Sequence, residues 1–154
     1  MSKQEFLDQM RAGRAELDTA TNGMSEEQIT QEIVAGEWTV KDILAHLAAW
    51  QGEAQLAAER VAAGQPDGYL IEESIDDWNA HRVAERRRLP LVDVMQELNE
   101  TYEAVLAALE RCPEGAPPNC PDLWESVGNL WWLTWHASEH AGIIRAYRER
   151  IDAS

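Results

Sequence analysis

The sequence predicts an all-α domain: a four-helix bundle with an extra short helix in the crossover between the second and third main helices. Three observations favour this class. Apolar residues recur at helical spacing along most of the chain, alternating β-branched runs are missing, and Gly- and Pro-containing segments separate stretches of helical length. With 154 residues and 45% apolar content, residues 1–154 are expected to form a single domain with its own core.

The first helix is predicted from about Lys3 to Thr21. Its apolar stripe consists of Phe6, Met10 and Leu17, which share one face at about 100° per residue. Asn22-Gly23 then breaks the chain. Ser25 and Gln28 have the spacing of a capping box, so a short helical turn is expected as a connector.

Capping residues mark the next two helices. Thr39 is the predicted N-cap of the second main helix, and Asp42 can complete a capping box with it. This helix should end before Gly64. Ser74 starts the extra short helix, about Ile75 to Arg88, which Pro90 interrupts.

The third main helix is expected from Leu91 to about Arg111, and the last from about Ser126 to Ile151. The loop between them contains Pro113, Pro117, Pro118 and Pro121. It also contains Cys112 and Cys120, which match no CxxC motif and have no histidine nearby. We interpret them as two reduced loop thiols.

The charge of the chain argues against two classes of partner. Thirteen Lys and Arg against 28 Asp and Glu give a formal charge of −15, which repels both phosphate backbones and anionic lipid surfaces. Nucleic-acid and membrane partners are therefore not expected. Charged residues interrupt the first ten positions, which lack the apolar stretch of a signal peptide or membrane span. A cytoplasmic location follows as an expectation.

Three histidines form the candidate site. His136 and His140 are four residues apart, so both project from one side of the last helix. The same helical spacing would place five further residues on that side: Asn129, Trp132, Leu133, Ile143 and Tyr147. The pair should then look into the bundle. His46 lies near the start of the second main helix, and if that face meets the last helix, three imidazoles could hold one side of a divalent metal and leave other positions open.

Other interpretations of these residues stay open. Paired core histidines are often hydrogen-bonded to carbonyls and need no metal. His81, among charged neighbours, is assigned to a solvated helix face and left out of the site. Glu53 and Glu139 are the carboxylates nearest the proposed ligands, so each is a candidate hydrogen-bond partner for a ligand or a proton carrier, against the alternative of a plain surface carboxylate.

The sequence has seven tryptophans and a single phenylalanine. Trp combines a large apolar ring system with one N–H donor, so clustered Trp often line a core edge or a pocket wall. Trp38, Trp50 and Trp132 are the candidate walls of a substrate pocket, and Asn79 is a candidate polar contact. Packing and helix capping are the alternative roles for these four residues.

Three segments resemble the DinB/YfiT-like superfamily of metalloenzymes, and within it the ClbS/DfsB-type four-helix-bundle branch. They are Gly36-Glu-Trp-Thr-Val-Lys-Asp-Ile-Leu-Ala-His46-Leu, Asp77-Trp-Asn79 and His136-Ala-Ser-Glu-His140-Ala-Gly-Ile-Ile-Arg-Ala-Tyr. The resemblance implies a four-helix bundle, often a homodimer, with a three-histidine site for nickel, zinc, iron or another divalent ion. Position by position, it implies His46, His136 and His140 as the metal ligands.

Activities in that superfamily include transferases and isomerases that use a low-molecular-weight thiol, and hydrolases of strained electrophilic rings. The leading hypothesis is therefore a metal-dependent hydrolase or thiol-dependent transferase that acts on a small electrophilic molecule, in detoxification or self-resistance. One alternative is a non-catalytic protein that sequesters a small molecule. Another is a dimeric interaction module whose histidines form a core network without metal.

Overall fold

The computed structural model describes residues 1–68 and 71–154. Four long helices form the bundle: α1 (Lys3–Thr21), α3 (Val40–Ala62), α5 (Leu91–Glu110) and α6 (His136–Asp152). Two shorter helices lie between them, α2 (Glu26–Gln31) and α4 (Ile75–Arg87). Helix α3 packs mainly along α5, and α1 along α6. The predicted all-α bundle is confirmed, with α4 as the extra helix in the crossover from α3 to α5.

Local capping explains where three of these helices begin. The Ser25 hydroxyl accepts a hydrogen bond from the Gln28 N–H (3.1 Å), and Ser74 caps α4 through the Asp77 N–H (3.2 Å). At the start of α3 the Thr39 hydroxyl accepts from the Asp42 N–H, and the Asp42 carboxylate accepts from the Thr39 N–H, both at 3.1 Å. This predicted capping box fixes the first turn of the helix that carries His46.

The core has two adjoining clusters that fill the space between the paired helices. Around one end of the bundle lie Phe6, Met10, Val105, Leu109, Leu123 and Trp124. Around the other lie Leu17, Ile43, Leu47, Val94, Leu98 and Ile144. The predicted stripe of α1 is therefore buried along its whole length, contributing to both clusters. Among the described residues, none of the helices is both long and apolar enough to cross a membrane.

A small antiparallel hairpin was not predicted. It pairs β1 (Ile33–Ala35) with β2 (Trp38–Thr39), and Gly36 makes the turn at φ 57°, a conformation that glycine adopts without a Cβ penalty. Strands of three and two residues are too short to produce a periodic signal in the sequence. The hairpin leads directly into the N-cap of α3 and presents Trp38 beside that helix.

The predicted start of the last helix at Ser126 is wrong, because α6 begins ten residues later, at His136. Residues 121–130 form successive turns, followed by a 3-10 helix at Trp131–Thr134. Their backbone bonds run three residues back, as in Gly128 N–H to Glu125 O and Trp131 N–H to Gly128 O, both 3.1 Å. Such bonds wind the chain with about three residues per turn, fewer than in an α-helix. Asn129 consequently does not share a helical face with His136, and its amide donates to the Asp67 carboxylate (3.1 Å).

Candidate metal centre and adjoining cleft

Three imidazoles from two helices meet at one point. His46 comes from α3, and His136 and His140 come from the first two turns of α6. The Nε2 atom of His136 lies 3.1 Å from Nε2 of His46 and 3.2 Å from Nε2 of His140. The predicted convergence of the three rings is therefore present, with His136 at its centre.

Close packing of two helices fixes the position of α6. At Gly13 of α1, a Cβ atom would lie 3.5 Å from both the Ala137 Cβ and the Ser138 backbone nitrogen, so α1 runs directly against the first turn of α6. The start of α3 is fixed by local hydrogen bonds instead, those of the Thr39 capping box. Both helices that supply histidines are thus held near the ends where those histidines lie.

Burial keeps the three imidazoles neutral. Desolvation lowers the pKa of His46 and that of His136 to about 3, with a further contribution from neighbouring histidines. It also lowers the pKa of His140, against an opposing effect of the Glu139 carboxylate. A neutral imidazole has a free nitrogen lone pair at physiological pH, which is the form that binds metal ions.

Hydrogen bonding within the protein does not satisfy this cluster. A neutral His136 has on Nε2 either one proton or one lone pair, yet that atom faces two other imidazole nitrogens. The Nδ1 atoms of His46 and His140 are buried and without a hydrogen-bond partner, and each such atom costs about 1–3 kcal/mol. His46 and His140 are thus not bonded to carbonyls as in an ordinary core network. A cation shared by the Nε2 atoms would remove the conflict at that point, while the two Nδ1 atoms stay unsatisfied with or without a metal.

The spacing of the nitrogens fits a single divalent ion. Metal–imidazole bonds of about 2.0–2.1 Å place neighbouring ligand nitrogens about 2.9 Å apart in octahedral and about 3.3 Å apart in tetrahedral geometry. The two observed separations, 3.1 and 3.2 Å, fall between these values. One nitrogen from each of the three side chains lies within 4.8 Å of the other two, so the group could hold a metal ion.

A cleft of about 470 Å³ opens beside the histidines, a size typical of small-molecule sites. All four residues predicted to bind substrate line it: Trp38, Trp50, Asn79 and Trp132. Trp38 packs on His46 with ring centroids 5.0 Å apart, and Trp132 packs edge-on against His136 at 5.3 Å. The three histidines and the aromatic walls thus belong to one site.

Asn79 contributes to the cleft by holding one of its walls. Its Oδ1 accepts a hydrogen bond of 2.7 Å from the indole N–H of Trp50. The Trp50 ring also lies against Trp78 of α4, with centroids 4.2 Å apart. Helix α4 therefore closes one side of the cleft and fixes the orientation of Trp50.

The two candidate carboxylates lie in different places. Glu139 lines the cleft, whereas Glu53 lines a neighbouring depression with Glu73 and Arg82. His81 is exposed and contacts the Glu73 carboxylate, as expected for a solvated helix face. Of the described residues near the histidines, Glu139 is thus the carboxylate that can reach a molecule in the cleft.

Sequence reasoning missed Trp135 as a cleft residue. It immediately precedes His136, lines the cleft, and contacts that ring with centroids 5.9 Å apart. Helical periodicity could not find it, because Trp135 lies outside α6 and its position depends on the 3-10 helix before it. The aromatic run Trp131-Trp132-Leu-Thr-Trp135 directly before the histidine motif was the available signal.

Both cysteines are free and lie in the loop after α5, as predicted, with their side chains buried in the core. Burial raises the pKa of Cys112, and burial together with the nearby Asp67 carboxylate raises that of Cys120 to about 12. Neither lines the cleft. A thiolate nucleophile from this chain is therefore not part of the site.

We expect both thiols to resist modification in the folded protein. At pH 8 the raised pKa values leave a very small thiolate fraction, and burial blocks access. Ellman's reagent should detect almost no thiol in the native protein and two per chain after unfolding in guanidinium. Rapid release of one equivalent from native protein would contradict this burial.

The fold and the three converging histidines define a helical bundle of the DinB-like class. The mycothiol maleylpyruvate isomerase N-terminal domain family matches residues 10–142, and the chain belongs to that family, within the DinB-like superfamily. The superfamily assignment made from the sequence is thereby confirmed. No curated protein and no solved structure matches the chain significantly.

Proposed function

We propose that the protein is a metal-dependent enzyme that acts on a small electrophilic molecule, with His46, His136 and His140 as the ligands of one divalent ion. The observation that carries this proposal is the spacing of the three Nε2 atoms, 3.1 and 3.2 Å across His136, at the wall of a cleft. Three neutral ligands leave the charge of the ion uncompensated and leave open positions toward the cleft.

A divalent ion held there would lower the pKa of a bound water or thiol toward neutrality and so supply a nucleophile. The chain's own residues orient and shield the substrate. Indole rings packed against the histidines exclude water from that wall of the cleft, and Glu139, which also lines the cleft, would accept or return a proton.

The reaction is either a hydrolysis or a transfer to a low-molecular-weight thiol. The family name refers to mycothiol, and a thiol co-substrate would have to come from outside because the described residues of the cleft include no cysteine. Maleylpyruvate, the other molecule in that name, is a dianion. The described side chains of the cleft include no Lys or Arg and do include Glu139, so recognition of such a dianion would depend on the metal ion alone.

Elemental analysis of purified protein tests the metal site. Wild type should contain about one divalent ion per chain, and His46→Ala should contain far less, because loss of one of three ligands removes the facial set. The matched control is His81→Ala, which removes an exposed histidine from α4 and should retain the ion. Equal, substoichiometric metal in all three proteins would refute the proposed function.

A second candidate is a protein that sequesters a small molecule without catalysis. The observation that favours it is the cleft itself, in whose described lining four indole rings outnumber the two polar side chains other than the three histidines. Under this alternative, ligand binding would survive both chelation and His136→Ala. Turnover that stops on chelation and returns with added metal would exclude it.

A further inference from the structure

We propose that the aromatic lining of the cleft binds planar aromatic molecules, and that its side chains, taken apart from any metal ion, select neutral or cationic rings over anionic ones. This inference names the substrate class of the site described above, and so rests on the proposed function for its chemistry. It is carried by two features that do not depend on a metal: the aromatic walls and the charge of the lining.

Four indole rings form a fixed aromatic lining: Trp38, Trp50, Trp132 and Trp135. Trp50 is held by its hydrogen bond to Asn79 and meets Trp132 edge-on, with centroids 5.7 Å apart. Because these contacts already order Trp50 and Trp132, little side-chain entropy remains to be lost on binding. A flat ring entering the cleft gains stacking or edge contacts as well as apolar burial.

The lining selects against anions. Glu139 is the charged side chain among the described residues that line the cleft, and none of them is Lys or Arg. The chain as a whole carries −15, so the surrounding field has the same sign as Glu139. A negatively charged ring would meet repulsion from Glu139 without a cationic side chain to pair with, whereas a neutral or cationic ring would not.

Hydrogen-bonding groups in the cleft are few. Asn79 Oδ1 is occupied by the indole N–H of Trp50 at 2.7 Å, and Nε2 of His136 contacts Nε2 of His46 and of His140. A sugar-like ligand with many hydroxyls would lose its water contacts and gain few in return. The lining therefore favours an aromatic molecule over a polyhydroxylated one.

Calorimetric titration with three matched two-ring probes tests the proposal. The probes are naphthalene-2-methanol, naphthalene-2-carboxylate and naphthalene-2-methylammonium, titrated into chelator-treated protein so that no metal ion can pair with the anion. We expect the neutral and cationic probes to bind at least about tenfold more tightly than the carboxylate, since repulsion between like charges opposes only the latter. Equal binding of the carboxylate, or no binding of any probe, would overturn the proposal.

Two pairs of variants tie the selectivity to the cleft. Trp135→Ala removes a wall and should weaken binding of the neutral probe by about fivefold or more, whereas Leu56→Ala removes an exposed apolar side chain of α3 outside the cleft and should change that binding by less than about twofold. Glu139→Gln should bring the affinity for the carboxylate probe closer to the affinity for the neutral probe. Glu149→Gln, the same charge change on an exposed residue of α6 away from the cleft, should leave the ratio unchanged.

Failure of this inference is distinguishable from failure of the proposed function. If the protein holds one metal ion per chain but binds no aromatic probe, the proposed metal centre stands and the proposed substrate class fails. If the protein binds the neutral probe selectively but holds no metal, the proposed ligand class stands and the proposed metal-dependent activity fails.

Discussion

Adding zinc or nickel to chelator-treated protein is expected to raise its midpoint of thermal unfolding by about 5–10 °C, and His136→Ala is expected to abolish the rise. A ligand at one hundred times its dissociation constant stabilises the folded state by about 2.7 kcal/mol. For a chain of this length each kcal/mol corresponds to about 2–4 °C. Circular dichroism melts with and without metal measure the effect.

His136 is the most sensitive of the three positions because its Nε2 atom lies against both other imidazoles, at 3.1 and 3.2 Å. Without it, His46 and His140 are left as two ligands, too few to hold one side of the ion. The control is again His81→Ala, which should show the full rise. An equal rise in wild type and His136→Ala would place the stabilising metal elsewhere on this acidic surface.

Most helix boundaries could be predicted because the signals that set them are local. The capping residues Ser25, Thr39 and Ser74 each form the expected bond three residues ahead, and such bonds depend on a few consecutive residues. The spacing of His136 and His140 is local in the same sense. Spacing alone could not predict that His46 approaches these two histidines, because that contact depends on how α3 packs. The family resemblance was needed to predict it.

The errors lie where packing overrides local preference. Residues 126–135 have helical periodicity, yet they form turns and a 3-10 helix because Leu123, Trp124 and Leu130 must all reach the core from a short segment. For that reason Asn129 was wrongly predicted to share a helical face with His136, and Trp135 was not predicted as a cleft residue. Glu53 shares a helical face with Trp50, but the packing of α4 against α3 separates it from the cleft.

The turn before the 3-10 helix gives the other large expected effect: Gly128→Ala should destabilise the protein by about 2–3 kcal/mol. A Cβ atom at Gly128 would lie 2.2 Å from the Asp122 carbonyl oxygen and 3.1 Å from its carbon. These are backbone atoms, so no side-chain rotation relieves the clash. The turn cannot shift as a whole either, because Leu123 and Leu130 anchor it in the core on both sides.

Urea unfolding of Gly128→Ala beside Gly52→Ala separates this clash from a general effect of adding a methyl group. Gly52 lies inside α3 with open space around its Cβ position, so alanine there should stabilise the protein by about 0.5–1 kcal/mol. The midpoints should therefore move in opposite directions, and similar shifts would contradict the tight turn. Since the Gly128 carbonyl accepts the Trp131 N–H that opens the 3-10 helix, Gly128→Ala should also displace Trp132 and Trp135 and weaken binding of the neutral aromatic probe, whereas Gly52→Ala should not.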